Sequence, residues 1–311
     1  MHVDASGLKR DNMEHKPFFI VRFRGGLGNQ LFQYAAAVVY GKIHGRTFKA
    51  DITGYKNPDK QKVPRGYKLE NFNINVPIAT EEEIRTYKYP LGILSKIWRG
   101  IKTKIFKLDY LDFHPLYFRR TINYLDGYFQ SPLYYKNHEE EIRNAFTLKP
   151  EKVSECAKHI LEDIHNSVSV SVHIRRGDLV TEIDASNAQG LCSLDYYEQA
   201  IGRMNGEISL MKNSIPGTKP TYFVFSDDIY WVEDHIQFPP GTRFVSKEKL
   251  EDYEELYLMS ECKHNIIGNS TFSWWAAWLN RNPTKMVYVP KQWTVKNTEH
   301  PTIIPKGWIR I

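Results

Sequence analysis

The stretch SVSVSVHIRRGD, residues 167–178, decides how the chain is read. Val168, Val170, Val172 and Ile174 alternate with Ser167, Ser169, Ser171, His173 and Arg175, a period of two that predicts a strand. Small serines on one face and valines on the other suit a strand inside a layered α/β domain. The strand delivers His173, Arg175, Arg176 and Asp178 to its carboxyl end, the edge where open α/β sheets bind ligands. Arginine suits phosphate there, because its planar fork donates paired hydrogen bonds. The same arginines could also be surface residues paired with Asp178, and this stretch alone does not choose between the two roles.

Downstream, helices at 151–165, 194–211, 229–235, 250–260 and 271–280 alternate with strands at 167–175, 221–225, 243–245, 264–267 and 286–289. This alternation predicts a mostly parallel, doubly wound sheet. Upstream, Phe18–Arg24 reads as a strand, Gly25–Gly28 as a turn and Asn29–His44 as a helix with Leu31, Ala35, Val38 and Val39 on its apolar side. Gly45 closes that helix and Arg46–Ile52 resumes a strand, completing a βαβ unit. Residues 53–90 read as loops with one short helix near Glu81–Tyr87. Residues 109–130 carry strand-like aromatic segments, and Glu139–Phe146 reads as a helix. Pro150 is the expected junction: a lead at 1–16, an N-terminal α/β domain at 17–150 and a C-terminal one at 151–311.

Composition narrows the partners. Lys and Arg number 42 against 36 Asp and Glu, a formal charge of +6. This excess suits an anionic small ligand or a membrane surface and does not demand nucleic acid. Cys156, Cys192 and Cys262 form neither a CxxC pair nor a disulfide framework, which fits a reducing compartment. No apolar run approaches the roughly 20 residues of a membrane span. The polar N-terminus lacks the apolar core of a signal peptide. A cytoplasmic protein is therefore expected; Arg176–Asp178 is not read as an adhesion signal, nor Asn269–Thr271 as a used glycosylation site. Residues 94–108 pair Leu94, Ile97, Trp98, Ile101, Ile105 and Leu108 at helical spacing with a lysine- and arginine-rich face. Such a basic amphipathic helix packs on its own domain or lies on the inner face of an anionic membrane.

Four segments share one theme, a strand end followed by a polar or glycine-rich helix start. In RFRGGLGNQ, glycines let backbone approach a ligand, a helix N-terminus attracts an anion and Arg24 adds a charge. The third glycine of a dinucleotide fingerprint is missing, which disfavours a Rossmann oxidoreductase. HIRRGD is the second. In FSDD, Ser226–Asp228 is expected to cap a helix with one of its aspartates, leaving the adjacent carboxylate to read a base such as guanine. In GNSTFSWW, Asn269, Ser270, Thr271 and Ser273 begin a helix and form either a phosphate cradle or a plain cap, with Trp274, Trp275 and Trp278 in the core.

In this order and spacing, GGLGNQLFQYA (25–35), HIRRGD (173–178), FSDD (225–228) and GNSTFSWWAA (268–277) resemble the motifs of the bacterial α-1,2-fucosyltransferases of glycosyltransferase family 11. The resemblance runs from about Phe18 to Val289. It implies a GT-B-like fold, two Rossmann-type domains facing a cleft. It implies inverting transfer of fucose from GDP-β-L-fucose to the 2-hydroxyl of a galactose in an oligosaccharide, expected to be lipid-linked in surface polysaccharide assembly. By the same resemblance Arg175 contacts the diphosphate, His173 and Asp178 support the nucleotide end, and Asp227 or Asp228 reads guanine or ribose. Asn269, Ser270, Thr271, Phe272 and Ser273 lie along the phosphates. Arg24 and the turn Gly26, Gly28, Asn29 and Gln30 approach from the opposite wall.

Charge grows on the leaving diphosphate during glycosyl transfer, and a metal or a fixed cation must absorb it. The chain contains no Asp-x-Asp pair to hold a metal, so a metal-independent reaction is expected, with Arg175 as the cation and no cofactor beyond the donor. Inversion also asks for a base within about 3 Å of the acceptor hydroxyl. Asp178, Glu182 and Asp184 follow the arginine loop, and Glu182 is the expected base by analogy with related fucosyltransferases. A non-catalytic nucleotide-sugar or carbohydrate-binding protein, or another linkage, remains open at this point.

Overall fold

FFIVR forms strand β1 (Phe18–Arg22), whose three central residues are buried. Gly25, at φ +79°, makes the turn, and helix α1 (Leu27–Ile43) returns the chain to strand β2 (Thr47–Asp51). These bounds and a short strand β3 (Tyr124–Leu125) come from a computed structural model that describes residues 17–56, 65–90, 113, 118–177, 191–210, 219–293 and 302–311. The lead at 1–16, the basic stretch at 94–108, and Asp178, Glu182 and Asp184 lie outside the described residues. β1 pairs in parallel with β2 on one side and β3 on the other. Among the described residues of the aromatic stretch at 109–130, only Tyr124–Leu125 is strand. Helix α2 (Glu81–Lys88) starts with a capping box between Thr80 and Glu83, and helix α3 (Glu139–Ala145) follows β3.

Helix α4 (Glu155–His165), capped by Ser154, opens the second half. Strands β4 (Ser169–Ile174), β5 (Thr221–Ser226), β6 (Arg243–Phe244), β7 (His264–Ile267), β8 (Val287–Val289) and β9 (Ile309–Arg310) form a six-stranded parallel sheet. Helices α5 (Leu194–Ser209), α6 (Ile229–His235), α7 (Asp252–Glu261) and α8 (Thr271–Leu279) cross over between them. The spatial order is β6-β5-β4-β7-β8-β9. Counted from β4, this is 3-2-1-4-5-6, the Rossmann order, with its switch point between β4 and β7. The architecture is α/β and GT-B-like, two Rossmann-type units each with a parallel sheet.

The serine–valine alternation of β4 is explained by burial on both faces. Val170, Val172 and Ile174 pack with Tyr196, Tyr197 and Met204 of α5. The serine face lies under the other helical layer, and its hydroxyls are satisfied in place. Ser169 Oγ accepts from Lys263 N at 3.1 Å, and Ser171 Oγ accepts from Asn265 Nδ2 at 2.7 Å. Small polar residues fit there because larger ones would displace the layer above.

The two units are welded by α1 and α8. Phe32 of α1 packs on Trp274 and Trp275 of α8 with ring centroids 4.6 and 4.8 Å apart, and Tyr135 stacks on Trp275 at 5.5 Å. Both tryptophans are fully buried; each removes roughly 200 Å² from water, about 5 kcal/mol of gross stabilisation. A Cβ on Gly28 would lie 2.5 Å from the carbonyl carbon of Thr271. The N-termini of α1 and α8 therefore meet backbone to backbone. Since each helix starts at the carboxyl edge of its own sheet, the two carboxyl edges share one region. Among the described residues, no helix is long and apolar enough to cross a membrane.

Candidate active site

At the switch point the loop after β4 and the turn after β7 lie side by side, because Gly268 N donates to His173 O at 3.2 Å. Gly268 is closely covered: a Cβ there would lie 2.9 Å from the Tyr197 hydroxyl. His173 ends the buried face of β4, and its ring packs against Phe272 at 5.5 Å. Burial draws its pKa down to about 4, with Asp227 opposing and Arg175 adding to the fall. The imidazole is thus neutral at pH 7, and its Nδ1 is buried without a hydrogen-bond partner.

Arg175 follows at the strand end, half-buried. Arg176 turns to α6 instead: its guanidinium carbon sits 3.6 Å from the Trp231 ring centroid, and its Nε lies 3.4 Å from Asp228 Oδ2. Asp227 Oδ1 accepts from both Arg176 N (2.8 Å) and Gly177 N (3.0 Å), clipping the β4 loop to the end of β5.

These positions correct the capping expectation for Ser226–Asp228. Asp228 occupies the N-cap of α6 but makes no side-chain cap bond. The hydroxyl of Ser226 accepts from Asp228 N instead, at 3.0 Å. One aspartate holds a loop some fifty residues away in sequence and the other holds Arg176. Helix α8, by contrast, is capped as expected, with Ser270 Oγ accepting from Phe272 N at 3.3 Å. Asn269, Ser270, Thr271 and Ser273 are all buried, and Ser273 donates to Ser270 O. Phe272 alone of this group is partly exposed.

On the facing edge, Gly26 is the N-cap of α1 and a Cβ there would lie 2.8 Å from Arg65 Nη1. Arg24 stacks over Tyr128 at 4.3 Å, with its Nε 3.7 Å from Asp126 Oδ1. Arg22 donates to Asp126 Oδ2 at 3.4 Å. Asn29 Oδ1 accepts from Gln130 Nε2 at 2.9 Å. Gln30 is fully buried and spends its amide on backbone: it donates to Gly25 O and Gly66 O and accepts from Lys68 N. Gln33 pairs with both backbone groups of Arg24 in the same way. These two amides fix the glycine turn and the loop entering at Gly66.

Sequence reasoning missed Arg65, Gln33 and Glu255. Glu255 is the most informative. Burial pushes its carboxyl up to about 7, against a hydrogen bond with Ser246 and with added repulsion from Asp252 and Asp227. Ser246 Oγ in turn accepts from Ser226 N at the end of β5, so Glu255 belongs to the same sheet edge. Its neighbour Glu254 is used structurally, accepting from Ser154 N and Glu251 N. The available signal was spacing: Glu255 shares a helical face with Met259 and Cys262, both buried, so an acid occupies a core-facing position. Among the described residues, no group of three or more His, Cys, Asp and Glu side chains is placed to hold a metal.

The arrangement gathers Arg175, a neutral His173 and two acids, Asp227 and Glu255, at a Rossmann switch point, opposite a second helix start flanked by Arg24 and Arg65. A family model, Glycosyl transferase family 11, matches residues 4–311. The chain belongs to glycosyltransferase family 11. The chain is 30% identical over 307 residues to the O-antigen biosynthesis glycosyltransferase WbnK of Escherichia coli, covering 92% of this chain and 98% of that protein. It is 31% identical over 307 residues to an alpha-1,2-colitosyltransferase of Escherichia coli, covering 94% and 98%. It is also 24% identical over 280 residues to the galactoside 2-alpha-L-fucosyltransferase Sec1 of Mus musculus, covering 88% and 67%. The chain is thus a glycosyltransferase.

Proposed function

We propose that this glycosyltransferase moves L-fucose from GDP-β-L-fucose to the 2-hydroxyl of a galactose, with inversion and without a metal. The observation that carries the reading is the switch point between β4 and β7, where Arg175 leaves the sheet beside the capped start of α8. The acceptor oxygen attacks the anomeric carbon, the bond from that carbon to the diphosphate oxygen breaks, and the hydroxyl proton passes to a base. GDP leaves carrying the electron pair. Arg175 meets the charge that develops on the diphosphate, which a fixed cation does without a metal. Neutral His173 adds hydrogen bonding at the nucleotide end without competing for that charge. The charge of Asp228 is matched by Arg176, whereas both backbone contacts of Asp227 use Oδ1 alone, so Asp227 and Glu255 are the acids assigned to the base and ribose. Asp178 is assigned to the nucleotide end and Glu182 to the acceptor proton, both outside the described residues.

The acceptor is an oligosaccharide of surface polysaccharide assembly, in keeping with the O-antigen relative, and lipid-linked. The reaction takes place on the cytoplasmic side, with residues 94–108 on the membrane. A second reading is favoured by the colitosyltransferase relative: colitose is L-fucose without its 3-hydroxyl, and a site for one differs from a site for the other by a single polar contact. Incubation with lactose and either GDP-fucose or GDP-colitose, in EDTA, separates the readings. A fucosyl trisaccharide linked at the galactose 2-hydroxyl supports the first. Transfer from GDP-colitose alone supports the second. GDP binding with no transfer to any galactoside would overturn both.

A further inference from the structure

At the end of α8 farthest from Ser270, nine helical residues or roughly 13 Å away, lies an open cavity of about 440 Å³. Its walls come from α3, from the loop between α8 and β8, and from the segment before β9. Arg143, Arg281, Lys285 and Lys306 line it against one carboxylate, Glu140, and Trp308 forms part of the wall. It sits at the opposite edge of the large sheet from Arg175, so the proposed transfer reaction does not use it.

Three of the four cations are held in place, and a single carboxylate serves them. Arg143 lies over the Trp278 ring at 4.1 Å, and its Nε is 3.6 Å from Glu140. Its Nη1 is buried and has no hydrogen-bond partner. Lys285 Nζ donates to Ala277 O at 2.7 Å and Asn280 O at 2.5 Å, which fixes the ammonium at the C-terminus of α8. Burial, with Arg143 adding repulsion, pulls Lys285 down to about 8. Arg281 reaches across to α3, donating to Glu140 Oε2 at 2.8 Å and Asn144 Oδ1 at 3.1 Å. One carboxylate is thus shared by two guanidiniums while a buried donor remains unmet. Such a group costs stability unless a ligand supplies the acceptor.

We infer that this cavity binds a phosphate- or diphosphate-bearing anion, held by Arg143, Arg281, Lys285 and Lys306 between the two halves of the chain. Guanidinium forks and ammonium groups are the recognition chemistry of phosphate. The phosphate belongs to a soluble molecule or to a lipid headgroup, and one set of measurements distinguishes them.

Inorganic pyrophosphate is titrated into the full chain carrying Arg175→Ala, which weakens any diphosphate contact at the other edge, and binding is read by calorimetry. Saturable binding is expected, weakened at least tenfold when Arg281→Gln and Lys306→Gln are added. GDP affinity of the double variant in the otherwise native chain should stay within twofold. If the double variant does not fold, Lys306→Gln alone, at an exposed position, should weaken binding about threefold. Sedimentation with vesicles of neutral lipid containing a fifth phosphatidate gives the second arm. Loss of vesicle binding in the variant assigns a lipid phosphate; pyrophosphate binding alone assigns a soluble one. Absence of pyrophosphate and vesicle binding in the Arg175→Ala chain, or affinities unchanged by the substitutions, overturns the proposal. Neither result bears on whether Arg175 serves transfer.

Discussion

The turn from β1 into α1 and the turn from β7 into α8 read alike in sequence, each a strand end with glycine and a helix start fit for an anion. In the structure they are the two halves of one joint. Gly28 is required by the backbone of Thr271, 2.5 Å from where its Cβ would be, whereas Gly268 is required by a side-chain hydroxyl, Tyr197, at 2.9 Å. Neither glycine needs a ligand to explain it. The charge at the shared edge comes from a third loop, the one after β4, and from residues the two turns hold in place. The lesson is that a glycine at a helix start marks a close approach, and that the approaching partner can be another helix start.

That comparison is broken most severely at Gly28. Gly28→Ala sets a methyl group against carbonyl and amide atoms of α8, and neither helix can shift without unpacking Phe32 from Trp274 and Trp275. We expect a loss of about 3 kcal/mol or more, beyond the usual cost of overpacking. Gly268→Ala presses on the tip of one ring and should cost about 1 kcal/mol. Urea denaturation of both variants measures the difference; equal losses would mean that the backbone contact between α1 and α8 is not what makes Gly28 necessary.

Arg175→Ala should leave stability close to that of the parent while turnover falls roughly 10²-fold or more, the loss expected when a donor to developing charge is removed. A nearly normal rate would take the diphosphate away from the β4 loop and return it to the two turns. Asp227→Ala should fall between these extremes. It removes the acceptor that Arg176 N and Gly177 N share, so the loop carrying Arg175 is no longer clipped to β5. We expect kcat/KM to drop about tenfold, near 1.4 kcal/mol, with little change in melting temperature because the site is exposed.

What was legible follows from the range of the forces involved. The bounds of α6 and β7 agree with the periodicity residue for residue, and those of α1 and α8 to within two, since apolar spacing is a local signal. β9 has two residues and β3 two, too few for any period to show, and both exist because a neighbouring parallel strand accepts them. The four strand-end segments were visible as candidate ligand loops because residue type and order carry that information. Their division of labour was not. Capping logic looks four residues ahead, whereas Asp227 bonds backbone at Arg176 and Gly177. Gln30 reads in sequence as part of the donor wall and Gln33 as nothing in particular, yet both are buried and their amides are spent on the backbone of Gly25, Gly66, Lys68 and Arg24.

Glu255 offers the finest probe of the shared edge. Its folded pKa of about 7 stands above that of an ordinary glutamate, near 4.3 when unfolded. Between those values the folded state keeps a proton that the unfolded state has released, so this residue's contribution to stability falls as pH rises from about 4.5 to 7. Glu255→Gln removes the titration. The variant should match the parent in melting temperature at low pH, near 4, and exceed it by a few degrees at pH 8, where the parent must hold a buried charge close to Asp227 and Asp252. If GDP binding neutralises that crowding by hydrogen-bonding the carboxylate, saturating GDP should erase the advantage at pH 8. An advantage that persists with GDP bound would leave Glu255 beside the proposed nucleotide site without touching its ligand, and would give the proposed base contact to Asp227.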